Sequence, residues 1–207
     1  MYIIKYSEFK NHADRCAAFL SIILLSPIVL VIMSMIRLLL GSPIFFIQQR
    51  PGRNGKPFNL IKFRTMTELR NSSGKLCSDR ERMTKLGLWL RSTSLDELPA
   101  LINILRGEMS FIGPRPLLMS YLPLYSSEQS RRHCVRPGFS GLAQINGRNT
   151  LSWEEKFKID VFYVDNQCLW LDLKIFVITI YKVIRREGVN AIGEVTMPPF
   201  IGSKINH

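Results

Sequence analysis

An uncharged apolar run, CAAFLSIILLSPIVLVIMSMI at residues 16–36, decides the fold of this 207-residue chain. As a helix, the run is about 30 Å long, which is the thickness of the hydrocarbon core of a membrane. A core helix of a water-soluble domain rarely stays apolar on every face for this length. The run is also long for a signal peptide, and no small-residue cleavage site follows it. We therefore predict a membrane-inserted helix near the amino terminus.

Ser26-Pro27 lies near the middle of this run. Proline removes one helix hydrogen bond and crowds the preceding turn, at a cost of about 3 kcal/mol in a regular helix. In lipid the freed carbonyl needs another donor, and the Ser26 hydroxyl is placed to supply one. Two arrangements stay open on these residues: a single span kinked at the proline, or a helix that breaks there and returns to the face it entered.

Basic residues flank the run on both sides. Six of them follow it without an intervening acid: Arg37, Arg50, Arg53, Lys56, Lys62 and Arg64. This excess predicts that the domain after the run lies in the cytoplasm. The flank before the run is weakly positive too, which suits a helix that enters and leaves on the same side.

The whole chain is strongly basic, with 28 Lys and Arg residues against 16 acids and a net charge of +12. Such a balance favours nucleic acid, anionic lipid or phosphorylated substrates as partners. A membrane-tethered basic module that binds nucleic acid or anionic lipid is one alternative. Its basic face should carry interleaved aromatic residues or a recognised binding motif, and we find neither, so we expect no nucleic-acid partner. The three histidines have no zinc-ligand spacing.

The pattern after the run predicts short strands and several helices. Residues 45–49 and 58–63 read as strands, and Asn54-Gly55 between them favours a hairpin turn. Apolar spacing over residues 95–105 predicts an amphipathic helix that ends at Gly107. Ser152 and Glu155 form a capping box that opens another helix. Residues 171–184 are apolar but too few to span a membrane, so they form a buried or interface-lying helix.

The chemistry is concentrated in Ser94-Leu-Asp96-Glu97-Leu-Pro99. In the structural interpretation, Ser94 and Glu97 form a capping box, and acids in the first turn stabilise the helix by about 0.3–1 kcal/mol. In the functional interpretation, carboxylates at a helix start lie where backbone N–H groups also bind phosphate oxygens. They can ligate Mg²⁺ or attack phosphorus. Both interpretations stay open on these residues alone.

Arginines bracket the acid pair at positions 91, 106 and 115. Arginine is suited to bidentate contacts with phosphate. Pro114 and Pro116 fix the backbone on both sides of Arg115, so its guanidinium can be aimed at small entropic cost. This combination indicates an anionic substrate.

Several short motifs follow one another in the order of a known family. They are Ser26-Pro27, Ile61-Lys-Phe-Arg-Thr-Met66, Arg91-Ser-Thr-Ser-Leu-Asp-Glu-Leu98, Gly107-Glu-Met-Ser-Phe-Ile-Gly-Pro-Arg-Pro116, Val135-Arg-Pro-Gly138, Gln144-Ile-Asn-Gly-Arg148 and Leu171-Asp-Leu173. Each is weak alone, but together they cover nearly the whole chain. The chain resembles the monotopic polyprenyl-phosphate phosphoglycosyl transferases of the bacterial sugar transferase family. It is most similar to the minimal, catalytic-domain type that transfers phospho-diacetylbacillosamine.

One departure from the family lies before the apolar run, where members usually carry Lys-Arg-x-x-Asp. Lys10 and Asp14 fit this pattern, but Asn11 replaces the arginine. The change concerns anchoring or interfacial contacts and leaves the expected catalytic residues intact.

The resemblance implies a helix-rich α+β fold. An N-terminal re-entrant helix-break-helix, broken at Ser26-Pro27, would accompany a small β-hairpin and amphipathic interfacial helices around a compact catalytic domain. Residues 1–40 would be the membrane-inserted part, residues 41–187 the cytoplasmic catalytic domain and residues 188–207 a C-terminal tail. The implied location is the cytoplasmic face of the bacterial inner membrane.

The resemblance also implies a reaction. Sugar-1-phosphate, from a UDP-sugar whose sugar is an N-acetylated amino or deoxy hexose, would pass to undecaprenyl phosphate with Mg²⁺, releasing UMP. Asp96 would carry the phosphosugar covalently, and Asp96 and Glu97 would hold the metal. Four residues would bind phosphate: Lys62, Arg91, Arg115 and Arg148. Gln144 and Asp172 are weaker candidates, and Asp172 could instead pair with a nearby cation. Inner-membrane lipids and downstream glycosyltransferases are the further expected partners, because this is the first membrane step of glycoconjugate assembly.

Overall fold

The computed structural model describes residues 2–147, 150–185 and 198–202, with the side chains of residues 2–5 left aside. The helices are α1 (Tyr2–Leu39), α2 (Asp79–Arg82), α3 (Lys85–Ser92), α4 (Leu101–Arg106), α5 (Ser127–Ser130), α6 (Leu142–Asn146), α7 (Trp153–Asn166) and α8 (Leu169–Ile184). The strands are β1 (Phe45–Pro51), β2 (Pro57–Phe63), β3 (Ser110–Ile112) and β4 (Gly138–Ser140). Short 3₁₀ turns lie at Arg53–Gly55, Leu95–Ala100, Met119–Leu124 and Arg131–Cys134. The predicted helix-rich α+β class is confirmed.

Helix α1 contains the apolar run and is long and apolar enough to cross a membrane. It continues through Pro27. The carbonyl that Pro27 cannot engage belongs to Ile23, and the Ser26 hydroxyl donates to it at 2.8 Å. The predicted role of Ser26 is therefore confirmed, and it explains how the helix tolerates the proline. A change of direction at Ser26-Pro27 stays a prediction.

One face of α1 packs along the rest of the protein. Ala18 is buried against the hairpin and α4, where Leu60 and Ile104 are neighbours. Within the last two turns of the helix, Ile32 and Ile36 join a second buried cluster with Phe63, Leu86 and Leu90. The opposite face is apolar and exposed at Leu20, Ile23, Leu24, Ile28, Leu30 and Val31. A helix that is apolar on both its buried and its exposed faces is expected where the exposed face meets lipid.

The predicted hairpin forms as antiparallel β1 and β2, with Phe45 opposite Phe63 and Pro51 opposite Pro57. Its turn is longer than the two residues expected. Asn54 and Gly55 nevertheless both have positive φ, 56° and 71°, as this favoured pair allows. The turn lies at one end of the hairpin, and Lys62 lies near the other end.

A buried amide joins the hairpin to α4. Asn103 accepts a hydrogen bond from the Ile61 backbone N–H at 3.1 Å and donates to the Asn59 carbonyl at 2.8 Å. It also donates to the Glu108 carboxylate at 2.6 Å. Because Asn103 is fully buried, these bonds fix the position of β2 against the helix that follows the acid pair.

The C-terminal helices form as the sequence predicts. Ser152 caps α7 through the capping box with Glu155. Helix α8 includes the predicted residues 171–184, and its apolar surface is largely exposed, for example at Trp170 and Val177. Beyond it, residues 198–202 of the expected tail are described, and Phe200 is buried.

Candidate active site

The acid pair lies in the 3₁₀ turn Leu95–Ala100, which leads directly into α4. Ser94, just before the turn, has left-handed backbone angles (φ 58°, ψ 15°), and its side chain makes no capping hydrogen bond. The capping-box interpretation of Ser94 and Glu97 is therefore wrong. A left-handed conformation is costly for serine, and such positions concentrate at functional sites.

The Glu97 carboxylate is held by two cations instead. Lys62 Nζ donates to Glu97 Oε1 at 2.6 Å, and an Arg115 guanidinium nitrogen donates to the same oxygen at 2.9 Å. Burial opposes ionisation of Glu97, but Arg115 and Lys62 outweigh it and lower the pKa of Glu97 to about 2. Glu97 is thus ionised at every physiological pH.

Asp96 has a different environment. Within the described residues, no side chain donates a hydrogen bond to its carboxylate. Burial, and then the neighbouring charge of Glu97, raise the pKa of Asp96 to about 6, against the pull of Lys62, Arg91 and Arg115. One carboxylate of the pair is therefore neutralised by cations, while the other is poised to change its charge near neutral pH.

The surrounding cations differ in how they are held. Burial lowers the pKa of the Lys62 ammonium, although Glu97 works in the opposite direction. The Glu97 charge raises the pKa of Arg115. Arg91 lies on α3, and its Nε donates to the Thr65 hydroxyl at 3.1 Å. The structure thus brings Lys62 and Arg115 onto Glu97 directly, with Arg91 in the same electrostatic field.

The turn that carries Arg115 is anchored at three successive carbonyls. The Gly138 backbone N–H donates to Pro114 at 2.9 Å, and a guanidinium nitrogen of Arg132 donates to Arg115 at 2.8 Å. A guanidinium nitrogen of Arg50 donates to Pro116 at 3.4 Å. The Pro-Arg-Pro backbone is thereby fixed by its neighbours as well as by its two rings.

Two glycines allow this turn to sit so close to β4. A Cβ on Gly113 would lie 2.5 Å from the Arg136 carbonyl, and a Cβ on Gly138 would lie 2.1 Å from the Gly113 nitrogen. Strands β3 and β4 run parallel beside them, with Ser110 opposite Gly138. Glycine is required here because the two backbones are in contact.

The remaining predicted site residues are placed as follows. Gln144 Nε2 donates weakly to the Phe139 carbonyl at 3.4 Å, and its buried Oε1 has no hydrogen-bond partner among described residues. Arg148 lies outside the described residues. Asp172 is buried and accepts hydrogen bonds from Tyr6 and Tyr163, at 2.6 and 2.7 Å, and from Lys10. Its alternative role of pairing a cation is the one that these contacts support.

Sequence reasoning missed three residues around Arg115. Arg50 anchors the Pro116 carbonyl, and burial, followed by the Arg115 charge, lowers its pKa. Arg132, which is only 3% exposed, forms an ion pair with buried Asp160 at 2.7 Å. No short motif contains this pair, because its members are 28 residues apart. The one sequence signal that could have indicated Asp160 is an acidic residue at a helix position that the apolar pattern predicts to be buried.

The donor set of the acid pair fits a magnesium ion. Both cations bind Glu97 Oε1, so Oε2 and the Asp96 carboxylate are the oxygens left for a ligand among the described contacts. Mg²⁺ commonly takes one or two carboxylates and completes its shell with water and substrate phosphate. The described residues contain no group of three or more acidic, histidine or cysteine ligands, so such an ion would depend on substrate oxygens.

A family model described as "Bacterial sugar transferase" matches residues 5–186. The chain belongs to the bacterial sugar transferase family. This sugar transferase is 53% identical to the uncharacterized sugar transferase EpsL of Bacillus subtilis (strain 168), over 94% of its own length and 96% of that protein. The match confirms the predicted membership of the bacterial sugar transferase family and shows that the chain is a transferase enzyme; the likeness to the phospho-diacetylbacillosamine type stays a prediction.

Relatives with more specific names are also similar to this sugar transferase. One is the UDP-glucose:undecaprenyl-phosphate glucose-1-phosphate transferase of Klebsiella pneumoniae, which is 42% identical over 84% of the chain and 40% of that protein. Another is the exopolysaccharide production protein ExoY of Rhizobium meliloti (strain 1021), 39% identical over 86% of the chain and 87% of that protein. The chain thus spans less than half of the first and most of the second.

Proposed function

We propose that the protein transfers sugar-1-phosphate from a UDP-sugar to undecaprenyl phosphate and releases UMP. The observation that carries this proposal is the contrast within the acid pair. Glu97 is neutralised by Lys62 and Arg115, whereas Asp96 has no described donor and titrates near pH 6. The name of the Klebsiella pneumoniae relative supports the general reaction.

In the first step, an ionised Asp96 oxygen attacks the β-phosphorus of the UDP-sugar. A bond forms between that oxygen and phosphorus, and the bond from phosphorus to the UMP oxygen breaks. UMP leaves with the electron pair, and the phosphosugar stays on Asp96 as an acyl phosphate. Splitting the transfer in two lets two bulky anionic substrates use one site in turn.

In the second step, a phosphate oxygen of undecaprenyl phosphate attacks the same phosphorus. The acyl phosphate bond breaks, which restores the Asp96 carboxylate and releases the lipid-linked product. Lys62, Arg91 and Arg115 offset the negative charge that gathers on the phosphoryl oxygens. Glu97 keeps Lys62 and Arg115 in place.

Asp96 and Glu97 would hold Mg²⁺, which would supply further positive charge at the diphosphate of the donor. Glu97 Oε1 is engaged by Lys62 and Arg115, so Oε2 and the Asp96 carboxylate would be the oxygens available to the ion. Arg148, which belongs to the matched motifs, is proposed as a fourth phosphate contact.

For the sugar, we propose an N-acetylated amino or deoxy hexose, because the sequence resembles the phospho-diacetylbacillosamine type. The glucose named for the Klebsiella pneumoniae relative is the alternative. A panel of UDP-sugars, scored by UMP release, decides between them. Preference for UDP-glucose over every N-acetylated sugar would remove this part of the proposal.

We propose that α1 enters and leaves the membrane on its cytoplasmic face. Lys10 pairs with Asp172 on α8, while Ile36, about 39 Å further along the helix, packs on Phe63 and Leu90. A helix that spans a bilayer separates its ends by the whole hydrocarbon core, so contact of both ends with one domain supports a re-entrant or in-plane course. Residues 1–40 would then be the anchor and residues 41–187 the catalytic domain.

Cysteine labelling tests this topology. Single cysteines at the two termini of a cysteine-free variant should both react only from the cytoplasmic side. A periplasmic amino terminus would restore the single kinked span. The product's position at the cytoplasmic face would also make it accessible to downstream glycosyltransferases.

The reaction itself is tested with purified protein, a UDP-sugar, undecaprenyl phosphate and Mg²⁺. UMP release is expected, and release of UDP would refute the proposal. Asp96→Asn should abolish turnover and the covalent adduct seen by intact-protein mass spectrometry. Asp165→Asn, an exposed acid on α7, is the matched control and should retain both. Normal turnover in Asp96→Asn would return the acid pair to a structural role.

A further inference from the structure

The C-terminal segment of the described chain docks onto α7 and the 3₁₀ turn Met119–Leu124. The Trp153 indole N–H donates to the Pro198 carbonyl at 2.9 Å. The Phe200 backbone N–H donates to the Tyr121 hydroxyl at 3.2 Å. Phe200 is 4% exposed, whereas its neighbour Ile201 is 88% exposed. The segment is therefore held by two hydrogen bonds and one inserted side chain rather than by a continuous apolar face.

Phe200 completes a cluster of five rings. Its ring centroid lies 5.0 Å from that of Phe157 and 5.8 Å from that of Tyr125, edge-on to the first and stacked on the second. Tyr121 and Trp153 are each 5.7 Å away. Aromatic pairs at these separations and angles attract one another beyond the burial of their surfaces.

Two of these rings, Tyr125 and Phe157, pack against Arg132, the arginine that anchors the active-site turn. The Arg132 guanidinium lies 5.8 Å from the Tyr125 centroid and 5.7 Å from the Phe157 centroid. Its nitrogens bind Asp160 and the Arg115 carbonyl. The two rings, the Asp160 carboxylate and the Arg115 carbonyl together fix the position of this guanidinium.

We propose that Phe200 is a positioning residue for the transfer reaction: by packing Tyr125 and Phe157, the C-terminal segment fixes Arg132, and Arg132 keeps Arg115 on Glu97. Without the Phe200 ring, these two rings lose a neighbour on one side and repack into the cavity. Arg132 then follows them, and a small displacement of a phosphate-binding arginine is enough to slow a phosphoryl transfer. This inference rests on the proposed function.

The test compares Phe200→Ala, Phe200→Tyr and the adjacent control Ile201→Ala in the full-length protein. Phe200→Ala should lower kcat about tenfold or more, and Phe200→Tyr, which keeps the ring, should restore most of it. Ile201→Ala should behave as wild type.

Three outcomes overturn the inference. They are an unchanged kcat in Phe200→Ala, a kcat that falls equally in Phe200→Ala and Ile201→Ala, and a faster reaction with lower KM. The second would show general destabilisation, and the third would show that the segment obstructs the site.

A second readout does not depend on activity. Hydrogen exchange at the Gly138 amide, which donates to Pro114, should accelerate in Phe200→Ala and not in Ile201→Ala. If the wild type releases no UMP from any UDP-sugar, the proposed function fails. The exchange result still decides whether Phe200 fixes the Pro-Arg-Pro turn, and equal protection in both variants rejects that claim.

Discussion

The Lys62 ammonium lies 2.6 Å from Glu97 Oε1 and joins the end of β2 to the 3₁₀ turn 35 residues later. Glu97 shares this oxygen with Arg115. The two cations therefore have fixed positions before any substrate arrives, which is the arrangement that stabilises a charged transition state without reorganisation.

Replacing Lys62 by methionine should lower kcat by about 100-fold or more, because a preorganised positive charge is lost from the phosphoryl site. The same change should raise the pKa of Asp96, since Lys62 lowers it in the wild type. Steady-state UMP release as a function of pH measures both effects. Lys56→Met, at the exposed far end of the same hairpin, is the control and should alter neither.

The pH dependence of kcat/KM should show an acid limb near pH 6, where Asp96 ionises. Glu97 raises the pKa of Asp96, so Glu97→Gln should shift this limb to lower pH even though the plateau falls. Profiles from about pH 4.5 to 8 would show the shift. The exposed Glu154→Gln should keep the wild-type limb, and a shift to higher pH in Glu97→Gln would contradict the electrostatic assignment.

Asn103→Ala should lower the free energy of unfolding by about 2–4 kcal/mol, because it removes a fully buried amide and its hydrogen bonds to the Asn59 carbonyl and the Ile61 N–H. The loss should also loosen β2 and reduce activity through Lys62. Denaturant unfolding in detergent measures the change. Asn146→Ala removes an exposed amide that bonds within one helix, and it should cost far less. Equal losses in the two variants would argue against Asn103 as the junction between β2 and α4.

Gly87→Ala should destabilise the protein by about 1–3 kcal/mol through overpacking. A Cβ at this position would lie 1.9 Å from the Thr65 carbonyl oxygen, so α3 would have to move away from this segment. Because Thr65 also holds Arg91, turnover should fall together with the unfolding temperature. Lys85→Ala, exposed on the same helix, is the control, and wild-type stability of Gly87→Ala would refute the close contact.

Leu24→Glu should weaken membrane association, because Leu24 is 78% exposed on the apolar face of α1. A charge placed on a lipid-facing surface is strongly unfavourable. Flotation with liposomes of mixed neutral and anionic lipid measures the bound fraction. Leu76→Glu changes an exposed leucine outside α1 and should float as wild type. Unaltered flotation of Leu24→Glu would show that this face is not the lipid contact.

Features governed by neighbours in the sequence were predictable. The Ser26 hydroxyl reaches a carbonyl three residues earlier, and the Ser152 capping box spans three residues. Residue types and spacing are enough for such contacts, because the helix backbone brings these groups together wherever it forms. The hairpin followed in the same way from two β-favouring segments around Asn54-Gly55.

The acid pair marks where local reasoning failed. Ser94 and Glu97 have the spacing of a capping box, yet Ser94 adopts left-handed angles and the box does not form. Two distant cations bind Glu97 more favourably than one backbone N–H would, since charge-assisted hydrogen bonds are the stronger kind. The preference is decided by where β2 and the Pro-Arg-Pro turn pack.

The sequence by itself determined the family, the apolar helix with its serine-assisted proline, and the residue types able to handle phosphate. Only the tertiary structure decided that Lys62 and Arg115 meet on Glu97 and that Asp172 joins Lys10. It also decided that Phe200 packs on Tyr125 and Phe157, the two rings that contact Arg132. These pairs are far apart along the chain, so their geometry depends on buried contacts, such as those of Asn103, that place whole strands and helices. Spacing along the sequence does not by itself indicate how those strands and helices are placed.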